Sequence, residues 1–391
     1  MAGASRIPIA ARARAGDSVS RPHDVVVVGA GPVGLLLADL LAGAGVDVAV
    51  CERRTAPAGV PRAIGIHPPG LEALDLARVG APVRADAVAI RRGVARRGGR
   101  ELGRLRFDRP VLSLPQDRTE ELLEARLAAL APGALRRGLR VTGVRARAAA
   151  VDVEGEGGAI ASARYLVAAD GVRSTVRGLL GVDTRRRRGT ADYVMADAPS
   201  GGDAADDEAV IHLEHDGVVE SFPLPRGRRR WVIRVDRQAA PSDPAGFAAL
   251  LRERVGVRIA PGDLTPPSRF TARQGPSARL ARGRVALVGD AAHEISPIGG
   301  QGMNLGWVGA VDLAATLLGA LERGAPPAPF GAYERRRTAA ADRAMRRAAF
   351  NMAMGAPVDG LRGAARDAFV RALARPPAST TLARAFTMHG L

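Results

Sequence analysis

The first strongly apolar segment of the chain is a run of four valines, Val25–Val28. A short run of this kind is typical of a strand that is buried on both faces of a parallel sheet. A turn with three glycines follows, and apolar residues then recur at helical spacing: Val33, Leu36, Leu37, Leu40 and Leu41. A second strand with alternating valines ends at Glu52. The pattern predicts a strand, a glycine turn, a helix, a second strand and an acidic residue.

The three glycines of that turn, Gly29, Gly31 and Gly34, have the spacing of a dinucleotide-binding motif. In such a motif the first glycine makes the tight turn and the second lets a pyrophosphate approach the backbone. The third lets the helix and the strand pack closely. The helix N-terminus offers free amides to the phosphates, and Glu52 can accept hydrogen bonds from ribose hydroxyls. From these residues alone, the ligand could be NAD or FAD.

Two later segments repeat the arrangement of an apolar strand that ends in an acid. Residues 165–169 run into Asp170 and Gly171, and residues 285–288 run into Gly289 and Asp290. A glycine-rich loop after the second acid precedes a long helix, and it would present backbone amides to an anionic atom. Two separate acid-plus-glycine motifs suit a long, bent cofactor. FAD has that length.

Together, these motifs resemble those of the single-component FAD-dependent aromatic hydroxylases, the para-hydroxybenzoate hydroxylase type. They are Gly29-x-Gly31-x-x-Gly34 with Glu52-Arg53, then Asp170-Gly171, and then Gly289-Asp290 followed by Pro297 and Gly302-Met303-Asn304. The resemblance covers about residues 24 to 390. It implies an α/β fold with a Rossmann-like FAD-binding domain of the glutathione-reductase type. An inserted mixed β-sheet would form the substrate domain, and helices would form the C-terminus.

The resemblance also implies a set of FAD-binding residues. Those expected at the pyrophosphate and the adenosine are Gly29, Gly31, Pro32, Gly34, Glu52 and Arg53. Those expected at the middle of the cofactor are Arg62, Gln116, Asp170 and Gly171, and Asp170 would also serve the transient NADPH or NADH. Those expected at the ribityl chain and the isoalloxazine are Asp290, Pro297, Gly300, Gly302, Met303 and Asn304. One position departs from the family, since Gly309 stands where an acid is usual and Asp312 is the next acid.

The activity implied by the resemblance is a monooxygenase cycle. NADPH or NADH reduces FAD, O₂ adds to form a flavin C4a-hydroperoxide, and one oxygen atom passes to an aromatic or polycyclic phenolic substrate, such as a natural product. The chemistry needs few side-chain catalysts, and the candidates are His67 and Pro297. A hydrogen bond at a helix start is the alternative role of His67. An alternative activity on the same fold is an FAD-dependent reductase or dehydrogenase of a prenyl or quinone substrate.

Four residues in the presumed substrate segment are candidates for the pocket wall: Tyr193, His212, Phe222 and Trp231. Packing in the core is the alternative role for the aromatic residues.

The motifs divide the chain into segments. We predict that residues 22–80, 113–183 and 276–330 form the FAD-binding domain, and that residues 81–112 and 184–275 form the substrate domain. Residues 331–391 predict helices that are interrupted at Gly355–Pro357 and at Pro376-Pro377. Residues 1–21 predict a disordered tail. We do not expect the thioredoxin-like domain that larger family members carry at the C-terminus.

The chain has 391 residues and a net charge of +17, and all of its basic residues are arginine. The absence of lysine excludes a Walker-type phosphate loop and Schiff-base chemistry. The arginines are spread along the chain without interleaved aromatic residues, which favours a compositional origin over a nucleic-acid-binding surface. The runs Arg185–Arg188 and Arg228–Arg230 are the best candidates for an anion-facing patch.

The single cysteine, Cys51, forbids an internal disulfide and a cysteine-based metal cluster. We therefore expect a cytoplasmic protein without a metal, and we expect Cys51 to be a small buried residue. Residues 25–50 are apolar on average, but Asp39, Asp47 and the repeated glycines argue against a membrane span.

Overall fold

The computed structural model describes residues 21–57, 63–185, 190–202 and 204–390. The strands are β1 (His23–Val28), β2 (Val48–Glu52), β3 (Gly65–Ile66), β4 (Val88–Arg97), β5 (Arg100–Ser113), β6 (Leu135–Arg137), β7 (Gly143–Ala146), β8 (Val151–Gly155), β9 (Gly158–Ala168), β10 (Ala191–Pro199), β11 (Glu208–Glu214), β12 (Gly217–Leu224), β13 (Arg228–Val235), β14 (Ser268–Ala272), β15 (Gly275–Pro276), β16 (Ala281–Arg282), β17 (Val285–Leu287) and β18 (His293–Glu294). The helices are α1 (Pro32–Gly43), α2 (Pro68–Leu76), α3 (Gly80–Asp86), α4 (Gln116–Leu130), α5 (Thr175–Leu179), α6 (Pro244–Val255), α7 (Gln301–Glu322), α8 (Gly331–Met354), α9 (Gly360–Leu373) and α10 (Ala378–Phe386). Two 3₁₀ turns lie at Pro261–Asp263 and Gly289–Ala291.

The valine run forms the central strand of the first sheet, whose order is β16-β17-β9-β1-β2-β6. Strand β1 is parallel to both β2 and β9, and β17 is parallel to β9. Val25, Val26 and Val27 are completely buried, as expected for a strand covered on both faces. The Rossmann-like unit predicted from the motifs is therefore confirmed.

Helix α1 approaches the turn after β1, and helix α7 approaches α1, so closely that glycine is required at both contacts. A Cβ atom on Gly34 would lie 2.0 Å from the carbonyl oxygen of Gly29, and one on Gly306 would lie 2.6 Å from Val33 Cγ2. The indole Nε1 of Trp307 donates a hydrogen bond of 3.0 Å to the carbonyl of Pro32. These contacts place the N-terminus of α7 beside the N-terminus of α1.

The second sheet is mixed, with the order β14-β10-β13-β12-β11-β4-β5-β3. Its neighbours are antiparallel except for β11 and β4, which are parallel. One face packs on α6 through a buried apolar cluster that includes Trp231, Ile233 and Phe247. Because side chains alternate between faces along a strand, the other face is available to a ligand. The inserted mixed sheet is confirmed, while the domain boundaries stay a prediction.

The C-terminal region forms three helices, α8, α9 and α10, and both predicted interruptions fall between them. Within the described residues, α7 is the one helix that is long and apolar enough to cross a membrane. More than half of its apolar window is buried inside the protein, including Leu313 and Leu317. Length and composition are therefore weak evidence for a span.

The predicted anion-facing patch at Arg228–Arg230 is wrong. Arg229 and Arg230 are 1% and 4% exposed. Arg229 donates to Ser221 Oγ and to the carbonyl of Glu208, and Arg230 forms a salt bridge of 2.7 Å with Asp197. These arginines serve as internal cross-links of the second sheet. Of the other run, residues 186–188 lie outside the described residues.

The buried histidine His212 should make the free energy of unfolding depend on pH. His212 lies on β11, its ring is 6.3 Å from that of Trp231, and burial lowers its pKa to about 4. The unfolded chain, with a histidine pKa of about 6.5, takes up this proton first as the pH falls. The stability that this neutral histidine contributes is therefore complete above about pH 6.5 and is lost as the pH falls towards its folded-state pKa.

Replacement of His212 by leucine should flatten this dependence. From about pH 7 to about pH 5.5 the wild type should lose about 1 kcal/mol more free energy of unfolding than H212L. Urea denaturation at the two pH values measures the difference. H389L, which removes an exposed histidine, is the control and should keep the wild-type slope. Equal losses in the wild type and H212L would contradict the prediction.

Candidate active site

A cleft with a volume of about 910 Å³ is lined by the first sheet, the second sheet and the C-terminal helices. It brings together most of the residues predicted to bind FAD: Gly29, Gly31, Pro32, Glu52, Arg53, Gln116, Asp170, Gly171, Asp290, Pro297, Gly300, Gly302 and Met303. Gly34 and Asn304 do not line the cleft, and Arg62 lies outside the described residues. The binding roles of all these residues stay predictions.

The three glycines of the first motif, of which Gly29 and Gly31 line the cleft, have three different surroundings. Gly29 has a φ of +107°, and a Cβ atom there would lie 2.5 Å from the carbonyl oxygen of Ala169. Gly34 packs on Gly29, as described above. A Cβ atom on Gly31 would have no protein atom within 4 Å, so this residue borders open space in the cleft. The arrangement suits a pyrophosphate that approaches the backbone at Gly31.

Helix α1 begins at this point without a side-chain cap. Gly31 is the N-cap residue, and Pro32 occupies the first helical position, where no N–H is needed. The amides of the first turn have no partner within the helix, and they carry the positive end of the helix dipole. The part of the cleft next to Gly31 and the first turn of α1 can therefore hold an anion.

Glu52 is held by hydrogen bonds at the end of β2. Its Oε2 accepts from the amide of Ala30 at 2.8 Å, and its Oε1 accepts from the amide and the Nε of Arg54 at 2.8 and 3.0 Å. Burial alone would raise the pKa of Glu52, but the bonds from Arg54 and Ala30 outweigh it and hold that pKa below its usual range. Glu52 is thus an oriented carboxylate, as a ribose acceptor needs to be. The positioning role of Arg54 was missed by the sequence analysis, which singled out Arg53.

Two polar residues line the middle of the cleft. Gln116, at the first position of α4, donates from Nε2 to Glu120 Oε1 at 2.7 Å, an i to i+4 pair that the helical pattern could have predicted. The Oδ2 of Asp170 accepts from the amide of Val176 at 3.2 Å. Its Oδ1 is buried and has no hydrogen-bond partner among the described residues. That oxygen is available to a ligand hydroxyl or amide.

Another part of the cleft wall is formed by the loop before α7. The N-cap residue Gly300 has a φ of +66° and provides no side-chain cap, so α7 also presents free first-turn amides. Gly302 and Met303 of that turn line the cleft, as do Pro297 and Asp290. The cleft is therefore lined by two uncapped helix N-termini, each of which can stabilise negative charge.

The side chain of Asn304 connects two parts of the fold by hydrogen bonds. Its Oδ1 accepts from the amide of His67 at 2.8 Å, and its Nδ2 donates to the carbonyls of Gly65 and Gly300 at 2.9 Å each. The side chain ties α7 to the segment before α2. The contact is between residues more than two hundred positions apart, so no local pattern predicts it.

His67 lines the cleft, and its side chain does not cap helix α2. It precedes α2 as the N-cap residue, and its side chain makes no capping hydrogen bond, so that alternative is wrong. A Cβ atom on Gly300 would lie 3.1 Å from its Nε2, which places the ring beside the start of α7. Burial lowers the pKa of His67 to about 4, so the ring is neutral at neutral pH. The catalytic roles suggested for His67 and Pro297 stay predictions.

Gly309, where the family usually has an acid, lies next to Arg337, with its Cβ position 3.7 Å from Arg337 Cδ. The next acid, Asp312, forms salt bridges with Arg336 and Arg337 on α8. Asp312 therefore joins α7 to α8.

Of the four predicted pocket residues, Phe222 alone lines the cleft. Trp231 and His212 lie on the opposite face of the second sheet, where Trp231 joins the cluster that packs on α6. Tyr193 is buried and stacks on Phe270, with ring centroids 5.3 Å apart. Aromatic character alone does not tell which face of a strand is buried in the core.

Sequence reasoning missed two further parts of the cleft. One is Glu220, which is two positions from Phe222 on β12 and therefore on the same face. Strand alternation could have identified it. The other is a wall from the C-terminal helices, whose cleft residues include Phe350, Asn351, Leu382 and Phe386. Nothing local in the sequence indicates where these helices dock.

Comparison with known proteins identifies the family. Residues 22–348 match the family described as FAD binding domain. The chain belongs to the FAD-dependent aromatic hydroxylase family. A 12-dehydrotetracycline 5-monooxygenase/anhydrotetracycline 6-monooxygenase of Streptomyces rimosus subsp. rimosus is 37% identical over 335 residues. These residues are 81% of this chain and 66% of that protein, so the chain spans somewhat less than two thirds of its length.

Solved structures of this hydroxylase family share the fold. OxyS anhydrotetracycline hydroxylase from Streptomyces rimosus superimposes with a TM-score of 0.76 and 31% identity, and the match covers 95% of this chain and 77% of that one. The p-nitrophenol 4-monooxygenase PnpA from Pseudomonas putida DLL-E4 gives a TM-score of 0.86 and 24% identity, covering 94% and 98%. The FAD-binding residues of the hydroxylase fold are thus expected along the cleft described above.

Substitutions at the second and third glycines of the motif, Gly31 and Gly34, should have two different effects. Gly31→Ala should weaken FAD binding by about tenfold or more, because its Cβ would enter the space next to the backbone that a pyrophosphate approaches. The stability of FAD-free G31A should match the wild type. Gly34→Ala should instead lower the free energy of unfolding by about 1–3 kcal/mol, because its Cβ collides with Gly29.

Fluorescence titration with FAD and urea denaturation of the stripped proteins measure the two effects. The control is G178A, which adds a Cβ at a glycine with open space around it in α5. A G31A protein that binds FAD as tightly as G178A would contradict the assignment.

Proposed function

We propose that the protein is a monooxygenase that uses NADPH or NADH, FAD and O₂ to hydroxylate an aromatic or polycyclic phenolic substrate. The observation that carries the proposal is the cleft itself. Two uncapped helix N-termini and oriented carboxylates line one part of it, and apolar side chains from the second sheet line another. This combination suits a polar dinucleotide beside an apolar organic molecule.

The residues present fit FAD. Gly31 and the first turn of α1 would hold its pyrophosphate, Glu52 its ribose, and the amides at Gly302 and Met303 the polar edge of its ring. Asp170 offers a buried unpartnered oxygen in between. When bound, FAD would accept a hydride from the nicotinamide and supply activated oxygen to the substrate.

The task of the rest of the cleft is to orient the substrate and keep water away. Its apolar wall comes from alternate residues of neighbouring strands in the second sheet, among them Met195, Ile211, Val218, Phe222 and Val232. Helices α8 to α10 contribute the opposite side, including Phe350, Leu382 and Phe386. Exclusion of water protects reactive intermediates and strengthens electrostatic interactions within the site.

The names of the relatives support an aromatic substrate. They describe monooxygenases of anhydrotetracycline and p-nitrophenol, one a polycycle and the other a single ring. We favour a natural-product phenol, taken by a cytoplasmic enzyme. The alternative is reduction or dehydrogenation of a prenyl or quinone substrate, which would use the same FAD site without incorporating oxygen.

The purified protein should be yellow, and a phenolic substrate should accelerate its NADPH or NADH consumption. Screening phenols and polyketide-like polycycles for this stimulation identifies a substrate. Turnover under ¹⁸O₂ should then place one labelled oxygen atom in the product, as measured by mass spectrometry. An unlabelled oxidised or reduced product would favour the reductase or dehydrogenase, and a protein that binds no FAD would overturn both.

A further inference from the structure

Glu220 is a carboxyl group in the apolar wall of the cleft. It lies on β12, where it faces Ile211 of β11 and Val232 of β13 as cross-strand neighbours. All three residues line the cleft. Val218 and Phe222, two positions away on the same strand, also line it. Four apolar neighbours on one sheet face thus surround the glutamate.

The carboxyl of Glu220 is desolvated and lacks a protein partner. The residue is 7% exposed, and burial raises its pKa to about 7. Among the described residues, no hydrogen bond or salt bridge reaches this carboxyl. The hydroxyl of the nearby Tyr193 is also buried, and it has no hydrogen-bond partner among the described residues. A buried polar group without a partner is costly, and a ligand in the cleft that bonds to Glu220 would remove this cost.

Two arginines near Glu220, Arg230 and Arg234, form hydrogen bonds with other residues. Arg230, the cross-strand neighbour of Phe222, donates from Nε and Nη2 to Asp197 at 2.7 and 2.8 Å. Arg234 donates to the carbonyl of Met352 at 2.9 Å. The described residues also contain no group of three acidic, histidine or cysteine side chains that could hold a metal ion. Apart from the Tyr193 hydroxyl, the partner that remains for the carboxyl is a molecule in the cleft.

We propose that Glu220 binds and orients a hydroxyl group of the aromatic substrate. This inference rests on the proposed function, because it assumes that the substrate occupies the part of the cleft against the second sheet. A carboxyl group can accept a hydrogen bond from a phenol in either protonation state. In its ionised form it would repel an anionic substituent in the same position, so the substrate class is a neutral hydroxylated aromatic. A site built to bond a hydroxyl strongly rejects an analogue that lacks the donor.

The test measures binding to the FAD-loaded enzyme without turnover. The probes are 2-naphthol and 2-methoxynaphthalene, which share a ring system but differ in the O–H donor, and the flavin absorbance reports binding. The wild type should prefer 2-naphthol by roughly tenfold, the value of one hydrogen bond in a desolvated site. E220L should lose this preference through weaker binding of 2-naphthol, while its affinity for the ether stays within about twofold.

Two more variants complete the series. E220Q keeps the shape and an acceptor oxygen, and should retain part of the preference. E253Q, which removes an exposed carboxylate on α6, should behave like the wild type. The flavin spectrum and the thermal unfolding of E220L establish that it is folded and loaded.

A wild type without preference, including one that binds neither probe, would overturn the inference, as would an E220L protein that keeps the full preference. Failure of the proposed function looks different. In that case the probes are still discriminated through Glu220, but no phenol stimulates NADPH or NADH consumption and no oxygen is incorporated.

Discussion

The close packing of α1 on the turn after β1, and of α7 on α1, is the constraint on which the site depends. Gly34 lies against the carbonyl of Gly29, and Gly306 lies against Val33, with no room for a side chain at either glycine. The hydrogen bond from Trp307 to Pro32 fixes the relative position of α1 and α7. The N-termini of both helices therefore open into the same cleft. A larger residue at these contacts would separate the two anion-binding ends from each other.

Much of this half of the molecule could be predicted because its signals are local. A buried valine strand, a glycine turn and a helix follow one another within about twenty residues, and each step has a physical reason for its residue types. The second sheet was predicted in outline, but its cleft residues were not. Trp231 and His212 are rare residue types that pack on the far face, whereas Glu220 was overlooked on the near one. The face of the second sheet that packs against α6 is set by tertiary packing, which the sequence of the strands alone does not determine.

The large positive charge illustrates the same limit. The arginine run Arg228–Arg230 predicted an anion-facing patch, yet Arg229 and Arg230 are buried and bonded to Ser221, Glu208 and Asp197. The cleft is lined by arginines such as Arg53, Arg54 and Arg173 together with uncapped helix N-termini and oriented carboxylates. Glu52 is kept ionised by Arg54 and Ala30, whereas Glu220 is left among apolar neighbours. One carboxyl suits the polar cofactor and the other suits a neutral phenol.

The most direct test of this account is a crystal structure of the protein with FAD bound. We expect the pyrophosphate at Gly31 and the first turn of α1, and the pyrimidine edge of the flavin ring at Gly302 and Met303. The ring should leave the apolar wall around Glu220 open for a substrate. A flavin bound with its ring away from the start of α7, or one that fills the space against Glu220, would contradict the account.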